Sequence, residues 1–210
     1  SIGEYTKKSG FTSIIRAYLT EFKFWENVTL VIKAKSKLAT PKEVINKFLS
    51  DVEMTKMGLG LQQAPGITII GDSPENPDDN VHSTCDCYVS ADHGLDWDFH
   101  GFDAMCFGKT PILPVNFDYS HYFSKSPFLY ETYYRNVYAS QDQTYNDMFS
   151  SNQGWLEPNL NEMKKMMRKA FSMANREELS NICKKAKDDF SYQKVGSLLL
   201  KVLQNEKEKI

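Results

Sequence analysis

Short β-branched apolar runs alternate with capped amphipathic segments through the first 115 residues, and few folds accept that order. Val28 to Ala34, Ile67 to Ile70, Cys85 to Ser90 and Pro111 to Val115 each have the length of a strand buried on both faces. Ser1-Ile2-Gly3 reads as the end of a further strand whose beginning is missing, as in an excised domain. Between the runs lie helices. Thr12 to Phe22 carries Ile14, Ile15, Tyr18, Leu19 and Phe22 on one stripe. Thr40, Pro41 and Glu43 spell a capping box ahead of Val44, Ile45, Phe48, Leu49 and Val52, with Gly58 and Gly60 as the stop. Asp72 to Asn80 reads as surface loop, and a short helix is predicted from near Phe99 to Gly108. Strand and helix in alternation with short connections imply right-handed crossovers, hence a parallel sheet covered on both faces: a doubly wound, Rossmann-like α/β domain.

The whole chain, 1–210, is predicted to be one such domain: core sheet and helices over 1–116, an irregular aromatic-rich segment over 117–158, and closing helices over 159–205. Asn159 with Glu162 and Asn175 with Glu178 are read as capping boxes, and the last helix spans about Ser191 to Gln204 with Val195, Leu198, Leu199, Val202 and Leu203 on one face.

Composition narrows the function. Among 210 residues, 25 Lys plus Arg meet 27 Asp plus Glu, and that balance offers no basic excess for a nucleic-acid backbone. No apolar stretch reaches the ~18 residues of a membrane span, and the first ten residues lack the order of a secretory signal, so the expected location is cytoplasmic. Cys85, Cys87 and Cys106 fall in apolar surroundings and suit a reducing compartment, and Cys-Asp-Cys has the wrong spacing for a zinc knuckle. No glycine-rich dinucleotide fingerprint, phosphate-binding Gly-Lys-Ser/Thr loop or Gly-x-Ser-x-Gly elbow is present, which removes the usual dehydrogenase, kinase and α/β-hydrolase signatures.

In an open α/β sheet, ligands bind beyond the carboxyl ends of the strands. Two loops there hold the candidate chemistry. Glu4 to Gly10 places Lys7 and Lys8 just before a helix, where cations and backbone N–H groups can converge on a phosphate; two solvated surface lysines are the alternative. Ala91 to Asp103 packs Asp92, His93, Asp96, Asp98, His100 and Asp103 around Gly94, Trp97 and Gly101. Such a loop can hold a diphosphate at the helix start while carboxylates bind sugar hydroxyls; alternatively Asp98 is an N-cap and the histidines are exposed. Asp96-Trp97-Asp98 also has the Asp-x-Asp spacing by which metal-dependent sugar transferases hold a cation.

Taken together these segments resemble the C-terminal, nucleotide-sugar-binding domain of GT-B glycosyltransferases of the retaining family-4 type. Ser1 to Phe11 is similar to the family's opening strand and its Arg-Lys-Gly turn, and Cys85-Asp86-Cys87-Tyr88-Val89-Ser90 to its Ala-Asp-hydrophobic strand. Gly94 to Pro111 looks like its long glycine- and glutamate-containing motif, with Trp97, Asp103, Ala104, Met105, Gly108 and Pro111 in register. Trp155-Leu156-Glu157-Pro158 and Phe190-Ser191-Tyr192 resemble its closing segment. The resemblance implies a nucleotide-diphosphate-sugar donor held by Lys8, Ser9, Asp96, Trp97, Asp98, Phe99 and Asp103, with Lys8 at the diphosphate and Asp103 at the ribose. It implies a hexosyl- or deoxyhexosyltransferase acting on an acceptor glycan or protein-linked glycan, with retention, no cofactor and no metal. An N-terminal acceptor-binding domain, absent from this chain, would complete the cleft. It names no catalytic residue. The departures are Ser9 at the diphosphate lysine, Leu95 at the first glutamate of the family's pair, and Asp98 and His100 at a glycine and a proline. They carry the alternative of a degenerate domain kept for scaffolding or glycan recognition.

Overall fold

A computed structural model describes residues 1–75, 77–94, 97–115, 129–130, 132–138, 154–173, 177, 180–181 and 187–207. The strands are β1 (Ile2–Glu4), β2 (Thr29–Lys35), β3 (Gly66–Gly71), β4 (Cys87–Val89), β5 (Thr110–Pro114), β6 (Leu129–Tyr130), β7 (Thr132–Tyr138) and β8 (Gly154–Pro158). The helices are α1 (Phe11–Glu21), α2 (Pro41–Gly58), α3 (Asp78–Thr84), α4 (Phe99–Cys106), α5 (Leu160–Ser172) and α6 (Tyr192–Lys207). β1, β2 and β3 pair in parallel, with Ile2 opposite Lys33 and Leu30 opposite Ile67. β4, β5 and β6 form a second parallel set, with Val89 opposite Ile112, while β7 and β8 run antiparallel. The parallel α/β architecture read from the alternation is therefore present.

Hydrophobic period explains the layers. Ile14, Ile15, Tyr18 and Leu19 of α1 are buried with Leu30 and Ile32 of β2 and with Val44, Phe48 and Val52 of α2. Leu49, on the predicted stripe of α2, is instead half-exposed, because Val44, Phe48 and Val52 alone already fill the contact with the sheet. α5 covers α1 from the outside: Met163 and Met167 enter the core, and Arg168 lies 4.5 Å above the Phe22 ring while binding Glu21 and Glu26. A second cluster joins Ile2 to Val81, Tyr88, Ala104, Met105 and Leu113, tying β1 to β4, β5 and the helices α3 and α4.

Two readings change. The loop predicted over Asp72 to Asn80 gives way to α3 from Asp78, where Pro77 precedes the first turn and Asp78 and Asp79 face the positive helix end. The segment expected to be irregular contains β6, β7 and β8, strands whose partners lie far along the chain and leave no local period. Asn159 caps α5 through the Asn161 and Glu162 amides as predicted, whereas the second predicted capping box lies largely outside the described residues. α6 forms where expected, but its stripe stays open, with Leu198, Leu199 and Leu203 more than half exposed.

The first turn of α1 depends on one glycine. Gly10 adopts φ +64°, and a Cβ there would meet the Ala91 carbonyl, 2.8 Å from its carbon. Gly10→Ala is expected to lower stability by about 2–4 kcal/mol, read as a reduced midpoint in urea unfolding with an unchanged slope.

Candidate functional site

The turn after β1 is built to be stiff. The Tyr5 ring packs edge-on against Phe48, 4.7 Å between centroids, and its hydroxyl donates to Asp51 at 2.9 Å. The Thr6 and Ser9 hydroxyls lie 3.1 Å apart, and the Gly10 amide donates to the Lys7 carbonyl at 3.1 Å. Ser9 is thus held within the turn itself. No side chain caps the N-terminus of α1, so its positive end is presented along this turn.

The loop after β4 closes on the same turn. The His93 amide donates to the Lys8 carbonyl at 2.9 Å, and Lys8 Nζ stands 4.0 Å from Asp92 Oδ1. His93 also reaches β8: it accepts from the Leu156 amide at 3.2 Å, and its Nδ1 donates to the Leu156 carbonyl at 2.7 Å. Burial lowers the His93 pKa, and the Leu156 carbonyl, which can only accept, sets a proton on Nδ1. Asp92 accepts from the Gly94 amide at 2.9 Å. Burial pushes its pKa up to about 6 against the pull of Lys8 and of that amide.

The predicted donor residues fall into separate groups. Lys8 and Ser9 lie on the stiff turn; Asp96 lies outside the described residues. Asp98 points inward: it is buried, caps α4 by accepting from the Gly101 amide at 2.8 Å, and receives the Tyr88 hydroxyl at 3.4 Å. Burial raises its pKa, opposed by the Gly101 hydrogen bond. Tyr88 also reaches the Ile2 carbonyl, at 3.5 Å, so the cap of α4 and the start of β1 share one hydroxyl. Trp97 packs against Phe102 and Phe190, with centroids 5.6 and 5.5 Å away, and Phe99 is 70% exposed at the start of α4. Asp103 sits one turn into α4 beside His82 of α3 and His100, and burial raises its pKa. Asp92 and His93 were in view in the sequence as members of an acidic loop, but only their tertiary partners distinguish them. His82 carried no signal, because the predicted loop ended at Asn80 and the next predicted strand began at Cys85, leaving residues 81–84 without an element.

A cavity of about 420 Å³ opens at the opposite edge, among Ser1, Thr29, Cys85, Lys109 and Phe171, and contains none of the described donor residues. No helix among the described residues is long and apolar enough to cross a membrane.

No protein-family model matches the sequence, and no curated protein sequence matches it. Solved structures do. The C-terminal domain of the glycosyl transferase group 1 family protein LpcC from Francisella tularensis aligns with a TM-score of 0.57 and 16% identity, over 90% of this chain and 83% of that one. HepE of Anabaena, solved with UDP-glucose, aligns at 0.62 and 11%, over 97% of this chain and 48% of that one. The pneumococcal O-GlcNAc transferase GtfA, solved with UDP and GlcNAc, aligns at 0.61 and 10%, over 97% and 35%. The chain thus spans a third to a half of the longer transferases.

Asp92 supplies a test of this geometry. Its folded pKa lies above its unfolded value of about 4, so its contribution to stability is full below about pH 4 and is lost as pH rises through 6. Asp92→Asn keeps the acceptor for Gly94 without the charge. It is expected to stabilise the protein at pH 7.5 by about 1–3 kcal/mol and to have no such effect at pH 4, measured by urea unfolding at both values. Parallel strands, helix order and the structural neighbours agree on one conclusion: this chain has the Rossmann-like fold of the C-terminal domain of GT-B glycosyltransferases.

Proposed function

We propose that this chain is the donor-binding domain of a glycosyltransferase, taking a nucleotide-diphosphate sugar and delivering the sugar to an acceptor glycan. The observation that carries it is the meeting of the Lys8 turn with the Asp92–His93 loop at the uncapped end of α1. A diphosphate there meets the Lys8 ammonium, which faces Asp92 at 4.0 Å, and the amides at the start of α1, groups that stabilise negative charge as it develops. The bond between the anomeric carbon and the diphosphate oxygen breaks as one forms to an acceptor hydroxyl oxygen; the electron pair leaves with the diphosphate, which takes up the hydroxyl proton, and this positive field lowers the cost without a metal at the phosphates. Asp103, with Trp97 and Phe99 nearby in sequence, serves the ribose and the base. Retention of configuration is part of the same reading, as is an intracellular site of action.

Two structural neighbours were solved with UDP or UDP-glucose, which favours a uridine diphosphate sugar as the first donor to try. The transfer needs a second domain for the acceptor, and the exposed leucines of α6 supply an apolar surface suited to covering by it. A degenerate, non-catalytic role is the second reading. Its support is Asp98, whose inward carboxylate already occupies the first turn of α4, together with Leu95 in place of a sugar-binding glutamate.

Calorimetry with UDP and a panel of nucleotide sugars tests the proposal. Saturable binding is expected, weakened about tenfold by Lys8→Ala, the loss of one charge-assisted contact. Absence of binding at millimolar UDP-sugar, in wild type and variant alike, would reject donor binding and leave the scaffold reading.

A further inference from the structure

α3 and α4 face each other through three side chains, of which the donor reading uses Asp103 alone. His82 of α3 and His100 and Asp103 of α4 each offer one ligand atom, and the three atoms lie within 4.8 Å of one another. His82 is only 3% exposed, and its Nε2 is buried with no hydrogen-bond partner among the described residues. His100 Nδ1 is likewise buried without a hydrogen bond. Buried ring nitrogens are normally satisfied, and leaving two of them bare in one small cluster is costly unless something accepts their lone pairs.

Protons are poor occupants here. His82 stacks on Phe107, 5.9 Å between centroids, and lies 6.3 Å from the His100 ring, so two imidazolium charges would face each other at close range. A cation shared between the rings removes that conflict, and the carboxylates welcome it: Asp103 belongs to the cluster, and Asp78 Oδ2 stands 3.9 Å from His100 Nδ1. Two imidazoles and one carboxylate are the donors of a borderline ion, not of calcium or magnesium.

We propose that His82, His100 and Asp103 bind one zinc ion, which pins α3 to α4. Tetrahedral zinc with bonds of about 2.0–2.1 Å sets its ligand atoms about 3.4 Å apart, so side-chain rotation of about 1 Å closes the cluster, and water takes the fourth position. His100 and Asp103 are three residues apart on α4 and point to one face, while His82 enters from the other helix. The ion therefore cross-links two short helices that start at the ligand-binding edge. It is structural, and Asp103 is the one side chain it shares with the donor reading. One oxygen of Asp103 suffices for the metal, and the other remains for a ribose hydroxyl. The zinc site stands without the donor reading, since it requires only these three side chains.

The test is titration of metal-stripped 210-residue chain with zinc by calorimetry, and with cobalt by visible absorption, in the absence of nucleotide. One zinc per chain is expected, together with a raised melting temperature and the intense cobalt bands of a tetrahedral site lacking thiolate. His100→Gln and His82→Phe are each expected to weaken binding at least about tenfold, with far-UV circular dichroism confirming that the chains fold. His100 is partly exposed, so His100→Gln decides the matter if His82→Phe fails to fold. Absence of saturable zinc binding, equal affinity in wild type and His100→Gln, or a cobalt–thiolate band pointing to Cys85, Cys87 or Cys106 would overturn the proposal. The donor reading fails or stands separately, on UDP-sugar calorimetry in zinc-free buffer.

Discussion

His93 is where three separate stretches of chain become one surface. Its amide holds the Lys8 carbonyl, its carbonyl holds the Leu156 amide, and its ring holds the Leu156 carbonyl. These are backbone-directed bonds, so they fix the path of the β1 turn and of β8 whatever side chains those segments carry. Gly10 makes the closeness possible, because only a residue without Cβ lets α1 begin against Ala91. With those contacts in place the positive end of α1, the Lys8 ammonium and the Asp92 carboxylate are confined to one locality. Any ligand placed there meets a preset field.

The same edge of the fold carries an unusual load of buried polar groups. Lys33, 3% exposed in the middle of β2, bonds Asp78 and lies 3.2 Å from Asp72. Burial opposes its charge, yet the two carboxylates outweigh that and raise its pKa. Asp98 is buried as a cap, and His82 is buried against Phe107 with its pKa lowered to about 4, by burial first and by His100 next. Each such group costs folding energy unless partnered, and a core built for stability alone would replace them with apolar side chains. They concentrate where β1, β3 and β4 end, while the α1–α2–α5 side is packed with Ile, Phe and Met.

Much of this was legible without coordinates. Val44, Phe48 and Val52 recur at a spacing that admits only a helix with one buried face, and Thr40, Pro41 and Glu43 mark its start by local hydrogen bonds alone. β2, β3 and β5 announce themselves as short β-branched or apolar runs. β6, β7 and β8 do not, since each depends on partners distant in the chain and the Tyr-rich sequence has no period of its own. α3 was hidden for a different reason: Pro, Asn and Asp serve equally well in a loop and in the first turn of a helix, and only packing of Val81 against Tyr88 and Leu113 decides between them.

By itself the sequence determined the alternation of strand and helix, hence the parallel α/β class, and it placed Lys8 and Asp103 on loops or helix starts at the carboxyl edge. Those features follow from local propensity and periodicity, which short stretches of chain carry independently. Tertiary structure alone decided which of the polar residues meet. It turned Asp98 inward as a cap, joined Lys8 to the Asp92–His93 loop, and drew Asp103 to His82 across two helices, one of them unseen in the sequence. Such meetings are set by the summed packing of elements far apart in the chain, and no local pattern encodes them.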